Sequence, residues 1–178
     1  MYRSVLTFWF DEIEPTQWWQ KDEAFDRTIE ARFGTLWERA RKGELFNWRR
    51  VADGRLAEII VLDQFSRNIH RGRPEAFAQD DMALVLAQEA VAHGVDMALT
   101  PIQRSFLYMP YMHSESALIH EVAVQLFRSS GLQEQYDAEL RHKAIIDRFG
   151  RYPHRNEILG RESTQQEIEF LQQPGSRF

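Results

Sequence analysis

At 178 residues, with 43% hydrophobic and 12% aromatic side chains, the chain has the material for one substantial core, which excludes global disorder. A net charge of −5 excludes a generally basic face for nucleic acid or an anionic membrane, and the lack of cysteine excludes disulfides, thiol catalysis and thiolate-bound metals. No apolar run approaches the roughly 18 residues of a membrane span, so a cytoplasmic protein forming one domain over 1–178 is expected.

Val5-Leu-Thr-Phe-Trp-Phe10 reads as a short helix stopped by Asp11 and Glu12, too brief for a signal-peptide core. After a connection holding Trp18 and Trp19, Phe25, Ile29, Phe33, Leu36, Trp37 and Ala40 recur at three- and four-residue steps. They predict an outer helix over 22–41 with Asp22 at its start and Gly43 behind its end. The next helix, 53–66, is apolar nearly all round through Ile59-Ile-Val-Leu62 and Phe65, the mark of a buried element. Asp63, Gln64, Arg67 and Asn68 stand at its end. Arg71-Gly-Arg-Pro74 is a basic turn, Asp80 or Asp81 caps a helix to His93, and Thr100-Pro101 starts another. Pro110 is expected to kink or break that helix after Met109.

Ser114 or Ser116 starts a helix to about Ser129, and 134–149 reads as the next, with Tyr136, Leu140, Ile145 and Ile146 inward. Gly150 ends it. Thr164 with Glu167, or Ser163 with Gln166, makes a capping box for a last short helix, and 172–178 reads as a frayed tail. The expectation is an all-α chain of seven to nine helices.

Three polar sets carry chemistry. Asp63 and Arg67 lie one helical turn apart in the favourable order for an ion pair. His113 and Glu115 lie just past the proline and could move protons. Metal is disfavoured, because His113 and His120 are two turns apart and no HExxH-type spacing occurs. The third set is the stretch Arg148 to Arg161, with four arginines and His154 against one acid, Glu157. Its arginines suit a bidentate grip on phosphate or carboxylate, and equally suit ion pairs that tie helix ends together. His154 is a further proton-transfer candidate, because an imidazole titrates near neutrality.

The runs Phe8-Trp-Phe10, Trp18-Trp19, Leu62-Asp-Gln-Phe-Ser-Arg-Asn68 and Phe106-Leu-Tyr-Met-Pro-Tyr-Met-His-Ser-Glu115 resemble a bacterial family of unknown function, number nine-two-four. So do Phe149-Gly-Arg-Tyr-Pro-His-Arg-Asn156, Leu159-Gly-Arg161 and Ser163-Thr164. The resemblance implies a compact array of helix hairpins wound as a tetratricopeptide-like right-handed superhelix, and it supplies no reaction. By that fold analogy the chain is expected to be an interaction scaffold for a peptide or protein partner. The alternative is a site for a phosphate- or carboxylate-bearing small molecule, with an enzymatic role open. Asp63, Arg67, Asn68, Arg148, Arg151, Arg155, Asn156 and Arg161 would hold that ligand, and His113, Glu115 or His154 would move the proton. No cofactor or metal is expected, and a homodimer is compatible with the aromatic content without being required.

Overall fold

Helical apolar spacing through most of the chain is realised as helix, and no strand occurs among the residues described by the computed structural model, 1–177. α1 (Tyr2–Thr7) runs into a π turn (Phe8–Glu12), and a 3-10 turn (Pro15–Trp18) leads to α2 (Glu23–Ala40). Asp22 caps α2 by accepting from the amides of Ala24 and Phe25. A further 3-10 turn (Phe46–Arg50) precedes α3 (Ala52–Ile60), a π turn (Val61–Phe65) and α4 (Ser66–Ile69), which together make one rod. α5 (Asp80–Ala92), α6 (Pro101–Met112), α7 (Ala117–Ser130) and α8 (Gln133–Phe149) follow. A 3-10 turn (Pro153–Arg155) and α9 (Gln165–Leu171) come last. With the rod counted once, the described residues form eight helices. Phe178, the last residue of the expected tail, lies outside the described residues. Within that tail Ser176 is buried and donates its hydroxyl to Leu171 O. None of the helices is long and apolar enough to cross a membrane.

The rod is the axis of the core. Leu56, Ala57, Ile59, Ile60, Val61, Leu62 and Phe65 have no exposed surface, because α1, α5 and α6 pack on α3 while α2 packs on the π turn and α4. Each large apolar side chain so buried stabilises the fold by roughly 1.5–3 kcal/mol. Aromatic rings close the N-terminal side: Trp9 meets Phe65 and Phe106 edge-on. Trp37 reaches the rod with its indole N–H on Ser66 Oγ at 2.7 Å. Glu58, fully buried on α3, is matched by a bidentate bond from Arg49. A smaller cluster of Ile145, Ile146 and Tyr152 lies under Phe149 and Phe170.

Two expectations need correction. α6 continues through Pro110 to Met112; the missing N–H removes one rung near the helix end, and every residue from Ser105 to Met112 is buried, which holds the last turn. On α8 the inward stripe is Glu139, His142, Ile145 and Ile146, whereas Leu140 is exposed. Apolar character misplaced that face, because the buried stripe carries polar residues that have partners on neighbouring elements.

Candidate functional site

The site begins where the rod widens. Single π turns inside helices are uncommon and recur at functional positions, and this one carries the fully buried Asp63 and its neighbour Gln64. Gln64 Nε2 donates to Asp63 Oδ2 at 2.6 Å, which leaves Oδ1 for the end of α6. There His113 places Nδ1 2.7 Å from Asp63 Oδ1. Arg67, one turn along, puts Nη1 3.2 Å from the same oxygen and grips Asp80 at the start of α5 with two bonds of 2.8 and 2.9 Å. Burial pushes the Asp63 carboxyl up, but Arg67 and His113 outweigh it and hold the group well below the usual range. Burial and the charge of Arg67 pull His113 down against Asp63, so at neutral pH the ring is uncharged. Its Nδ1–H is then committed to Asp63, and Nε2 keeps a lone pair with no partner among the described residues. A carboxylate that orients an imidazole in this way makes it a proton acceptor.

His113 lines a cavity of about 410 Å³ together with Asp80, Glu115 and Arg155 on its polar side and Phe77, Leu84 and Pro110 on its apolar side. Arg155 is buried, with its guanidinium between the rings of Phe77 and Tyr152 at 4.7 and 4.6 Å. Its Nη2 donates to His113 O at 3.0 Å and its Nη1 lies a long 3.4 Å from Asp80. Its Nε is buried and has no acceptor. A guanidinium has five N–H donors, so most of this one's capacity is unused.

The other expected site residues divide. Arg161 forms two bonds with Glu115, at 2.6 and 2.9 Å, and a third with Asn156, whose amide donates to Ser163. Glu115 also accepts from the Tyr152 amide at 2.7 Å, so it staples the loop after α8 to the end of α6. Arg151 is chelated by Glu167, whose carboxyl it draws down to about 2. Arg148 stacks on Phe149 and, with Arg151, lines a separate hollow of about 330 Å³. Asn68 points to Asp26, which also receives Arg71. His154 packs against the Tyr152 ring and is not part of the cavity wall. Asp63, Arg67, His113, Glu115 and Arg155 are therefore brought together; Asn68, Arg148 and Arg151 are not. Among the described residues no group of three or more His, Asp or Glu could hold a metal ion.

A family model described as bacterial protein of unknown function, DUF924, matches residues 5–175. The chain belongs to this family. A solved structure of a protein of unknown function, ATU0120 from Agrobacterium tumefaciens, is similar with a TM-score of 0.91 and 35% identity, covering 96% of each chain. No curated protein matches.

In this DUF924 chain two contributors lay outside the sequence reading: Phe77 under Arg155, and Asp80 as a partner of Arg67. The expected capping by Asp80 or Asp81 is not made, because Gln79 stands at the N-cap and no side chain caps it. Only the fold reveals Phe77, but Asp80 falls in a helix first turn beside a basic turn, a signal that could have found it. The spacing 136–139–142–146 likewise marks Glu139 and His142 as inward. Burial pushes His142 down from 6.5 to about 3, and burial followed by the charge of Arg155 does the same to His154. A depressed folded value means that stability is fully present above the unfolded value of 6.5 and is lost as pH falls from there through the folded value. Each such histidine should remove up to about 1.4 kcal/mol per pH unit in that window. Urea midpoints measured between pH 8 and pH 5 should therefore drop, and the slope should lessen in His142→Gln. A midpoint flat from pH 7 to 5 would contradict this.

Proposed function

We propose that the cleft between α5, α6 and the loop after α8 binds a small molecule through an anionic phosphate or carboxylate group, and that His113 takes a proton from it. One observation carries this: an imidazole fixed by a buried carboxylate at 2.7 Å, its second nitrogen without a partner among the described residues, in the wall of a cavity that Arg155 also lines. Arg67 and Arg161 are each chelated by a carboxylate of the chain, so their part is to hold the walls. Arg155, held by two rings, one carbonyl and a long contact to Asp80, is the cleft cation that this reading assigns to the ligand.

Thermal unfolding against a panel of phosphorylated and carboxylated metabolites tests the proposal. A compound at about one hundred times its dissociation constant stabilises the native state by roughly 2.7 kcal/mol. For a chain of this size that raises the midpoint by roughly 5–10 °C. The rise should vanish in Arg155→Lys and persist in His113→Asn, which should lose turnover alone. No rise with any compound would sink the proposal. The exposed Leu118 and Val122 on α7, with Leu140 on α8, favour a second possibility, a surface for a peptide or protein. The tetratricopeptide-like superhelix and the cytoplasmic setting that such a role borrows belong to that same proposal.

A further inference from the structure

A helix C-terminus leaves its last carbonyls without helical partners. At the end of α6 three consecutive carbonyls meet side chains from elsewhere: the Tyr152 hydroxyl donates to Met112 O at 2.5 Å, Arg155 Nη2 donates to His113 O at 3.0 Å, and His120 Nε2 faces Ser114 O at 2.9 Å. His120 and Tyr152 have no exposed surface, and Nε2 lies 3.1 Å from the tyrosine oxygen. His120 Nδ1 is in turn 2.7 Å from Glu139 Oε1 on α8, whose second oxygen is buried without a partner.

Nε2 can serve Ser114 O only as an N–H. Nδ1 then faces Glu139 either as a second N–H, an imidazolium against a carboxylate, or as the acceptor of a proton that Glu139 carries. Both states hold the same number of protons, and both keep Nε2–H on Ser114 O. Burial pushes the Glu139 carboxyl up, which favours keeping that proton within the pair.

We infer that Tyr152, and His120 braced by Glu139, are positioning residues for His113. By fixing the carbonyls on either side of it they set the backbone from which its imidazole reaches Asp63. The inference rests on His113 being the proton acceptor of the cleft. The charged groups facing His113 are Asp63 from the π turn, Arg67 from α4, Asp80 from α5 and Arg155 from the loop. None is altered by the variants below.

The test is the titration of the His113 ring protons by NMR in ligand-free protein, for wild type and Tyr152→Phe. With the clamp loosened, the hold of the imidazole on Asp63 weakens. Because that carboxylate is what opposes burial at His113, the pKa should move further down, by about half a unit or more. Tyr152→Phe removes a single oxygen and keeps the ring against Arg155. If it does not fold, His120→Gln, which cannot span both Glu139 and Ser114 O, is measured in its place with the same expectation. A merely structural role would lower the unfolding midpoint and leave the His113 titration unchanged, and that outcome overturns the inference. Because no ligand enters the titration, a panel of metabolites that all fail to bind would remove the proposed function and not this result.

Discussion

Asp63→Ala is expected to lower the free energy of unfolding by roughly 3–5 kcal/mol, the range for breaking a buried charged network from one side. Three partners are affected at once: the Nδ1–H of His113, the amide of Gln64, and Arg67, which loses one of the two carboxylates that neutralise it. Arg67 keeps Asp80, so the loss should stop short of unfolding a chain of ordinary stability. Asp63→Asn retains an acceptor and the side-chain shape and should cost less. It should still drive the His113 pKa further down, because the Asp63 charge is what opposes burial there. Urea unfolding measures the first effect. A loss below about 1 kcal/mol for the alanine variant would place Asp63 among ordinary surface pairs and remove it as the anchor of the site.

Gly54→Ala should be as damaging, and against the usual trend. Replacing glycine by alanine inside a helix ordinarily gains about 1 kcal/mol. At Gly54 the new Cβ would sit 2.1 Å from Trp48 O, where the 3-10 turn Phe46–Arg50 crosses α3. A backbone oxygen has no rotamer by which to withdraw, so either the turn or α3 must shift. That should cost on the order of 3 kcal/mol or more. Gly34 on α2 is the internal comparison, because its nearest neighbour to a Cβ is Glu30 Cγ at 3.8 Å. Gly34→Ala should therefore stabilise by up to about 1 kcal/mol. Equal effects of the two substitutions in urea would contradict this account of the crossing.

The buried rod was legible because seven apolar side chains around 56–65 leave no polar face, and only a core element tolerates that. Caps at Asp22, Thr100 and Thr164 were legible for local reasons, since a side-chain oxygen and a nearby amide settle them within three residues. The pair Asp63–Arg67 was visible from its spacing, but its burial and its ties to His113 and Asp80 were not. Those depend on helices that meet only in three dimensions. The same limit applied to the arginine-rich loop: its composition fits an anion site and a set of internal ion pairs equally well. Glu115, far upstream, and Glu167, just past the loop, take up Arg161 and Arg151, while Arg155 is left with two rings, one carbonyl and a long contact. Leu140 shows the opposite error, where an apolar residue on a half-polar helix was taken to mark the inside.

The ties that close the cleft join residues 50 apart for Asp63 and His113, 46 for Glu115 and Arg161, and 75 for Asp80 and Arg155. The main apolar cluster, by contrast, draws its buried members from residues up to Phe127. In a chain made from N- to C-terminus, most of the core can collapse, with Asp63 already on His113, while Glu115 still lacks Arg161 and Asp80 still lacks Arg155. A ribosome-bound chain would then be folded in its interior and unfinished at its cleft. The cleft is complete only once the loop carrying Arg155 and Arg161 has emerged, so the interior and the cleft are finished at separate moments in the life of the molecule.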